Sequence, residues 1–107
     1  MVIWNDEAKN DLIDILFALI TWEKHKPLSL DEAESYVSDI RKKGDAICML
    51  KAHSPARYKM HTIYGEKVFR YDRNKHTQWY IIYDWDDKNK IAYINKIINN
   101  YMTISEM

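Results

Sequence analysis

Two kinds of hydrophobic spacing divide the chain. Between residues 6 and 50 apolar side chains recur every three or four positions, which is the spacing of amphipathic helices. After residue 55 aromatic and β-branched residues dominate in short runs separated by polar turns, which is typical of strands. A short apolar segment, 1–4, predicts a first strand. The pattern therefore predicts an α+β fold: an N-terminal strand, an αα-hairpin, and a three- to four-stranded antiparallel sheet packed on the helices.

The two predicted helices have polar residues at their starts. Asn5 and Asp6 are cap candidates for the first helix, whose apolar stripe runs to Trp22. Ser29 and Glu32 have the S-x-x-E spacing of a capping box, in which hydroxyl and carboxylate satisfy reciprocal backbone donors. A second helix is therefore predicted to start there.

The end of the second helix can be interpreted in two ways. Its apolar spacing continues to Leu50 if Gly44 is a kink. Alternatively the helix breaks at Gly44 and Asp45 caps a new helical segment.

Four runs predict the strands of the second half. The run from Trp79 to Tyr83 is apolar on both alternating faces, which indicates a central strand with helices on one side and a partner on the other. Short polar connections between the four runs suit antiparallel hairpins. The four runs are Tyr58 to Tyr64, Val68 to Arg73, Gln78 to Asp86 and Ile91 to Ile98.

Composition limits the classes of function. The 107 residues are 47% hydrophobic, and we expect one domain over 1–107 with a loose tail at 102–107. No apolar run reaches the roughly 18 residues of a membrane helix, so we expect a cytoplasmic protein with no membrane contact. Cys48 is the single cysteine, which excludes an internal disulfide and thiolate metal sites. The four histidines lack metal-ligand spacing, so we expect no metal and no cofactor.

Charge is distributed unevenly along the chain. Lys plus Arg and Asp plus Glu both number 16, so net charge gives no argument for nucleic-acid binding. Residues 51–75, however, hold seven Lys or Arg interleaved with His and Tyr. Such a stretch suits phosphate contacts and base stacking on single-stranded RNA, although a solvated charged hairpin is the alternative. The candidate RNA-binding residues are Lys59, Lys67, Lys75, His61 and His76.

The order of elements and several short segments resemble the RelE/ParE superfamily of bacterial toxins from type II toxin–antitoxin systems. The segments are Ala8 with Asp11-Leu12, Leu50 to Pro55, Tyr80-Ile81-Ile82-Tyr83-Asp84, and Ile91 to Ile97. The resemblance implies a cognate antitoxin protein as partner. It leaves two activities open, because some members of the superfamily cut ribosome-bound mRNA and others inhibit DNA gyrase.

Two positions depart from the RNA-cleaving members of the superfamily. Those members usually carry an arginine at the start of the central strand, where this chain has Trp79-Tyr80. They often carry a histidine, arginine or tyrosine after the last strand, where this chain has Asn99-Asn100-Tyr101. The candidate catalytic residues are therefore Arg70, Arg73, Tyr80 and Tyr101.

The expected chemistry is RNA cleavage through the 2′-hydroxyl by a metal-independent endoribonuclease. An arginine would clamp the scissile phosphate, and His61 or His76 would accept the proton. Strand alternation places Arg70 and Arg73 on opposite faces, so only one of them suits the site, and we favour Arg70. The alternatives are a gyrase inhibitor of the same fold and a toxin fold without activity.

Overall fold

The computed structural model describes residues 1–21 and 27–100. The α+β class and the order of strand, two helices and C-terminal strands are confirmed. Trp22 and the predicted tail at 102–107 lie outside the described residues. The elements are β1 (Val2–Trp4), α1 (Asp6–Thr21), α2 (Leu30–Asp45), a 3-10 turn (Ile47–Met49), α3 (Lys59–Thr62), β2 (Lys67–Asn74), β3 (Thr77–Asp86) and β4 (Ile91–Asn99).

The sheet has the strand order β1-β4-β3-β2. Strands β2, β3 and β4 pair antiparallel as predicted. Strand β1 pairs parallel with β4, with Val2 opposite Ala92, so the whole sheet is mixed rather than antiparallel. Strand β3 has neighbours on both sides, which confirms its predicted central position. Its residues Ile81, Ile82 and Tyr83 are completely buried.

Helices α1 and α2 pack on one face of this sheet, called here the helix face. Trp79, Ile81 and Tyr83 point from β3 into the core. Burial of each large apolar side chain contributes about 1.5–3 kcal/mol, so this layer dominates the stability of the domain. The core cluster comprises Ala8, Ile15, Ile40, Ile47, Trp79, Ile81, Tyr83, Ala92, Ile94 and Ile97.

A buried carboxylate fixes α1 to β4. Asp11 accepts hydrogen bonds from the Ile97 backbone N–H at 2.9 Å and from the Lys96 ammonium at 3.1 Å. Burial raises the pKa of Asp11, and the two donors oppose that shift. The helix is thereby held in one register along the last strand.

The start and end of α2 follow from identifiable residues. The predicted capping box is confirmed, with Ser29 and Glu32 bonded reciprocally. The helix ends at Asp45, so the continuous kinked helix is wrong. The predicted break is present one residue after Gly44, but the prediction that Asp45 caps the next segment is wrong, because Asp45 is the last residue of α2. Gly44 is buried against the Trp4 ring, where a Cβ would clash. Asp45 accepts a hydrogen bond from the Trp4 indole N–H at 2.8 Å, and no side chain caps the 3-10 turn that follows.

The predicted strand from Tyr58 to Tyr64 is wrong, because this segment contains the short helix α3. Two backbone hydrogen bonds join the residues that flank the segment: Ala56 N–H to Glu66 O at 2.8 Å, and Val68 N–H to Ser54 O at 3.0 Å. Because these bonds hold the two ends together, residues 57–65 form a loop and do not extend along a neighbouring strand. We call residues 57–65 the outer loop.

The outer loop lies on the sheet face opposite α1 and α2, called here the outer face. The Asn95 amide donates to Tyr64 O at 2.8 Å, and Asp84 accepts from the Glu66 N–H at 3.0 Å. Gly65 lets the loop approach closely, since a Cβ there would lie 3.1 Å from an Ile82 methyl. The loop therefore covers part of the outer face and leaves Arg70 exposed.

Candidate functional site

Arg70 and Tyr80 form a directly opposed pair on β2 and β3. Both side chains belong to the outer face, because their neighbours Phe69 and Trp79 pack in the core. This confirms the predicted alternation along β2. The Arg70 side chain is 59% exposed, and Tyr80 is half-buried. The pair thus presents a guanidinium and a phenol side by side near solvent.

Asp72 holds the Arg70 guanidinium from the same strand and face. The Arg70 Nε donates to Asp72 Oδ1 at 2.7 Å. This hydrogen bond and the Asp72 charge raise the pKa of Arg70, with smaller contributions from the Tyr80 and Tyr58 hydroxyls. The contact uses the Nε edge, while an arginine has five N–H donors in a fixed fork. The two terminal nitrogens therefore have donors to offer an anion.

His61 of α3 lies beneath the outer loop. Its ring centroid is 4.8 Å from that of Tyr80 at an interplanar angle of 39°, and the side chain is only 3% exposed. Its Nδ1 is buried and has no hydrogen-bond partner within the described ranges. Burial lowers the pKa of His61, so the ring is neutral at pH 7 and can accept a proton.

Arg73 lies on the helix face, away from Arg70. It forms a salt bridge with Asp39 of α2 and donates to the Tyr71 hydroxyl at 3.3 Å. Its guanidinium carbon lies 4.0 Å from the centroid of the Tyr36 ring. The structure therefore does not bring the two arginines together, and Arg73 joins α2 to β2.

The other candidate residues are dispersed. Lys59 is exposed on α3, two positions before His61. Lys67 opposes Tyr83 at the start of β2, on the helix-face side of the strand. Lys75 and His76 are exposed in the β2–β3 turn. Tyr101 lies outside the described residues. The structure thus brings together Arg70, Tyr80 and His61 on the outer face, and we call these three residues the outer-face group.

Sequence reasoning missed Tyr58, which is 70% exposed at the start of the outer loop. Its ring meets the His61 ring edge-on, with centroids 5.5 Å apart and an interplanar angle of 85°. The prediction of a strand from Tyr58 onwards hid this contact, because a strand would have separated the two residues. The aromatic residues of 51–75 were the only signal available.

Another histidine, His53, contacts two aromatic residues at the other end of the sheet, on the helix face. His53 Nδ1 lies 2.7 Å from the Tyr83 hydroxyl, and its ring stacks on Trp85 at 3.9 Å. Burial raises the pKa of Tyr83 to about 12 and lowers the pKa of His53. These contacts attach the segment after the 3-10 turn to β3, which is a structural role.

Metal-binding clusters and membrane-spanning helices are both absent from the described part of the chain. Within residues 1–21 and 27–100, no group of three or more His, Cys, Asp or Glu side chains is arranged to hold a metal ion. None of the helices in those ranges is long and apolar enough to cross a membrane. Comparisons of the chain with protein-family models, with curated proteins and with solved structures found no match.

Proposed function

We propose that this chain is the toxin of a type II toxin–antitoxin system with a RelE/ParE-like fold, and that it inhibits translation in the cytoplasm by cleaving mRNA on the ribosome. The observation that carries the proposal is the outer-face group of Arg70, Tyr80 and His61. A fixed cation, a hydroxyl and an unpaired imidazole nitrogen are the three kinds of group that RNA cleavage uses.

Each group has a definite task in this reaction. The terminal nitrogens of Arg70 bind the scissile phosphate and stabilise the extra negative charge that develops on it. The Nδ1 of His61 accepts the proton of the 2′-hydroxyl, whose oxygen then attacks the adjacent phosphorus. The P–O5′ bond breaks and the leaving oxygen takes a proton from water, while the Tyr80 hydroxyl donates one hydrogen bond to the phosphate. The products are a 2′,3′-cyclic phosphate and a 5′-hydroxyl, and no metal or cofactor takes part.

The outer loop has to move for this chemistry. His61 Nδ1 is covered in the structure, so a 2′-hydroxyl reaches it only when residues 57–65 shift. The ribosome is the partner that would supply the energy for this shift by positioning the mRNA. This explains why we expect cleavage on the ribosome and little on free RNA.

The helices offer a surface for an antitoxin. Ile13 and Phe17 of α1 are 51% and 58% exposed, which is unusual for large apolar side chains on one helix face. A groove of about 420 Å³ between α1 and α2 is lined by Ile13 and other apolar side chains, by the cations Lys9 and Arg41, and by one carboxylate, Glu34. An amphipathic antitoxin segment with acidic residues suits this groove. Binding there would stabilise the toxin by mass action.

Gyrase inhibition is the second candidate function, and one observation favours it. Arg70 is paired with Asp72, and Tyr80 supplies no fixed positive charge, so the outer face has less cationic character than a phosphate-cleaving site usually needs. A surface that binds another protein without chemistry would tolerate this pairing. An inactive toxin fold is the third alternative.

Induced expression in bacteria separates these functions. We expect translation to fall within minutes of induction while DNA supercoiling stays unchanged, and co-expression of the protein encoded beside the toxin gene should restore growth. Loss of supercoiling with translation intact would favour gyrase. Normal growth at a verified level of folded protein would favour the inactive fold.

A further inference from the structure

An exposed aromatic ring stands at the edge of the outer-face group without any role in the proposed cleavage. Tyr58 is 70% exposed, although its edge-on contact with His61 fixes the ring relative to α3. A rigid tyrosine exposes a large flat surface at low conformational cost. Such a ring is suited to stacking against another planar group.

The neighbouring charge indicates which planar group would bind. The Tyr58 ring contacts His61, the His61 ring contacts Tyr80, and Tyr80 opposes Arg70 across β2 and β3. The hydrogen bond from Arg70 to Asp72 uses Nε, so the terminal nitrogens of Arg70 are not engaged by it. A ring that can stack and a fork that can bind phosphate, connected through His61 and Tyr80 on one face of the sheet, match the two parts of one nucleotide. A duplex would not fit this combination, because its bases are already stacked and paired.

We propose that Tyr58 and Arg70 form a nucleotide-binding subsite for single-stranded RNA, in which a base stacks on the Tyr58 ring and its adjacent phosphate binds the Arg70 fork. The inference deepens the proposed function and rests on it for the choice of RNA. The subsite requires no movement of the outer loop, because both side chains are exposed already. It therefore binds RNA before His61 becomes accessible, and it orients the strand for cleavage.

The test uses a single-stranded RNA of about eight nucleotides that carries one 2-aminopurine, whose fluorescence falls when the base stacks. Wild-type protein should quench the fluorescence and bind the strand more tightly than a duplex of the same sequence. Tyr58→Ala should weaken binding by about 5- to 150-fold and abolish the quenching, because a stacked base contributes roughly 1–3 kcal/mol. Tyr58→Phe should bind within about twofold of wild type, since the π face remains.

Ile63→Ala is the matched control, because Ile63 is 65% exposed just after α3 and carries no π face. It should leave affinity and quenching unchanged.

Salt dependence distinguishes the two halves of the subsite. Arg70→Ala should reduce the slope of log affinity against log salt by about 0.7, the value for one phosphate contact on a single strand, whereas Tyr58→Ala should keep the slope.

The subsite is refuted if wild-type protein does not quench the probe, if Tyr58→Ala binds like wild type, or if Ile63→Ala weakens binding as much as Tyr58→Ala. Cleavage of mRNA on ribosomes, measured with the same proteins, tests the proposed function separately. Cleavage that depends on Arg70 but is unaffected in Tyr58→Ala would reject the subsite alone. Quenching that depends on Tyr58 in a protein that leaves translation intact would reject the proposed function alone.

Discussion

Two arginines three positions apart on β2 have opposite surroundings. Arg73, on the helix face, is 26% exposed and is held by Asp39, the Tyr71 hydroxyl and the Tyr36 ring. Arg70, on the outer face, is 59% exposed and has one carboxylate beside it. The difference shows how strand alternation assigns one cation to folding and leaves the other available for a ligand.

The largest expected effect comes from removing the available cation. Arg70→Ala should slow mRNA cleavage on ribosomes by about 100-fold or more, because loss of one charge-stabilising donor has effects of that size. Arg70→Lys should restore only part of the rate, because an ammonium keeps the charge and loses the fork. Quantified cleavage of a defined mRNA measures both. An unchanged rate in Arg70→Ala would remove this residue from the site.

Removing the other arginine should affect folding instead. Arg73→Ala should lower the free energy of unfolding by about 1–2 kcal/mol, because it abolishes a partly buried cation–π contact and the bonds that join α2 to β2. Urea denaturation measures the loss, with Arg70→Ala as control because its side chain is exposed. Equal stability of the two variants would contradict the difference between the faces.

Replacing Tyr80 with arginine, which adds a positive charge beside Arg70, tests the role of Tyr80 in cleavage. Tyr80 does not pack beneath the helices, since its ring contacts His61 on the outer face. Tyr80→Arg should therefore leave the protein folded and raise cleavage about tenfold by adding a fixed charge near the phosphate. A large fall in melting temperature, or a folded variant with unchanged cleavage, would argue against a position for residue 80 beside the phosphate.

Removing the phenol hydroxyl should have a smaller effect. Tyr80→Phe should lower the cleavage rate about two- to tenfold, which corresponds to one hydrogen bond, while the contact with His61 is kept. Steady-state cleavage on ribosomes measures it, and thermal melting should match wild type. A variant as inactive as Arg70→Ala would show that the hydroxyl does more than donate one hydrogen bond.

The smallest effect concerns pH. Burial lowers the pKa of His61 below the value of about 6.5 that the unfolded chain has. The unfolded chain then binds more protons as pH falls below that value, so stability is complete above it and decreases towards pH 5.5. His61→Phe should flatten this decrease, leaving the part due to His53, and the exposed His76→Phe should not. Urea denaturation between pH 7.5 and 5.5, values chosen to be roughly above carboxylate titration, measures the slopes.

Local signals were sufficient for much of the fold. Runs of aromatic and β-branched residues predicted β2, β3 and β4, and the Ser29–Glu32 spacing predicted the start of α2, because both depend on neighbouring residues. The pairing of β1 with β4 joins residues about 90 positions apart, such as Val2 and Ala92, and no local pattern specifies it. The outer loop was predicted as a strand because its aromatic residues are typical of strands. The loop is instead closed by backbone hydrogen bonds between residues that are not neighbours in sequence.

Some features of the candidate site could likewise be predicted from the sequence, and others could not. The sequence was sufficient to separate Arg70 from Arg73, because their placement on opposite faces follows from the two-residue period of a strand. The contact of His61 with Tyr80 depends on how the outer loop folds over the sheet, which the sequence did not reveal. Tyr58 was missed for the same reason.

The most direct test of the account is the mapping of mRNA 5′ ends in cells that express wild type, Arg70→Ala or Arg73→Ala at matched amounts of folded protein. We predict new 5′-hydroxyl ends within coding regions for wild type and for Arg73→Ala at a temperature where it is folded, and none for Arg70→Ala. The same ends in Arg70→Ala cells, or no new ends in wild-type cells, would contradict the claim that the outer face cleaves RNA.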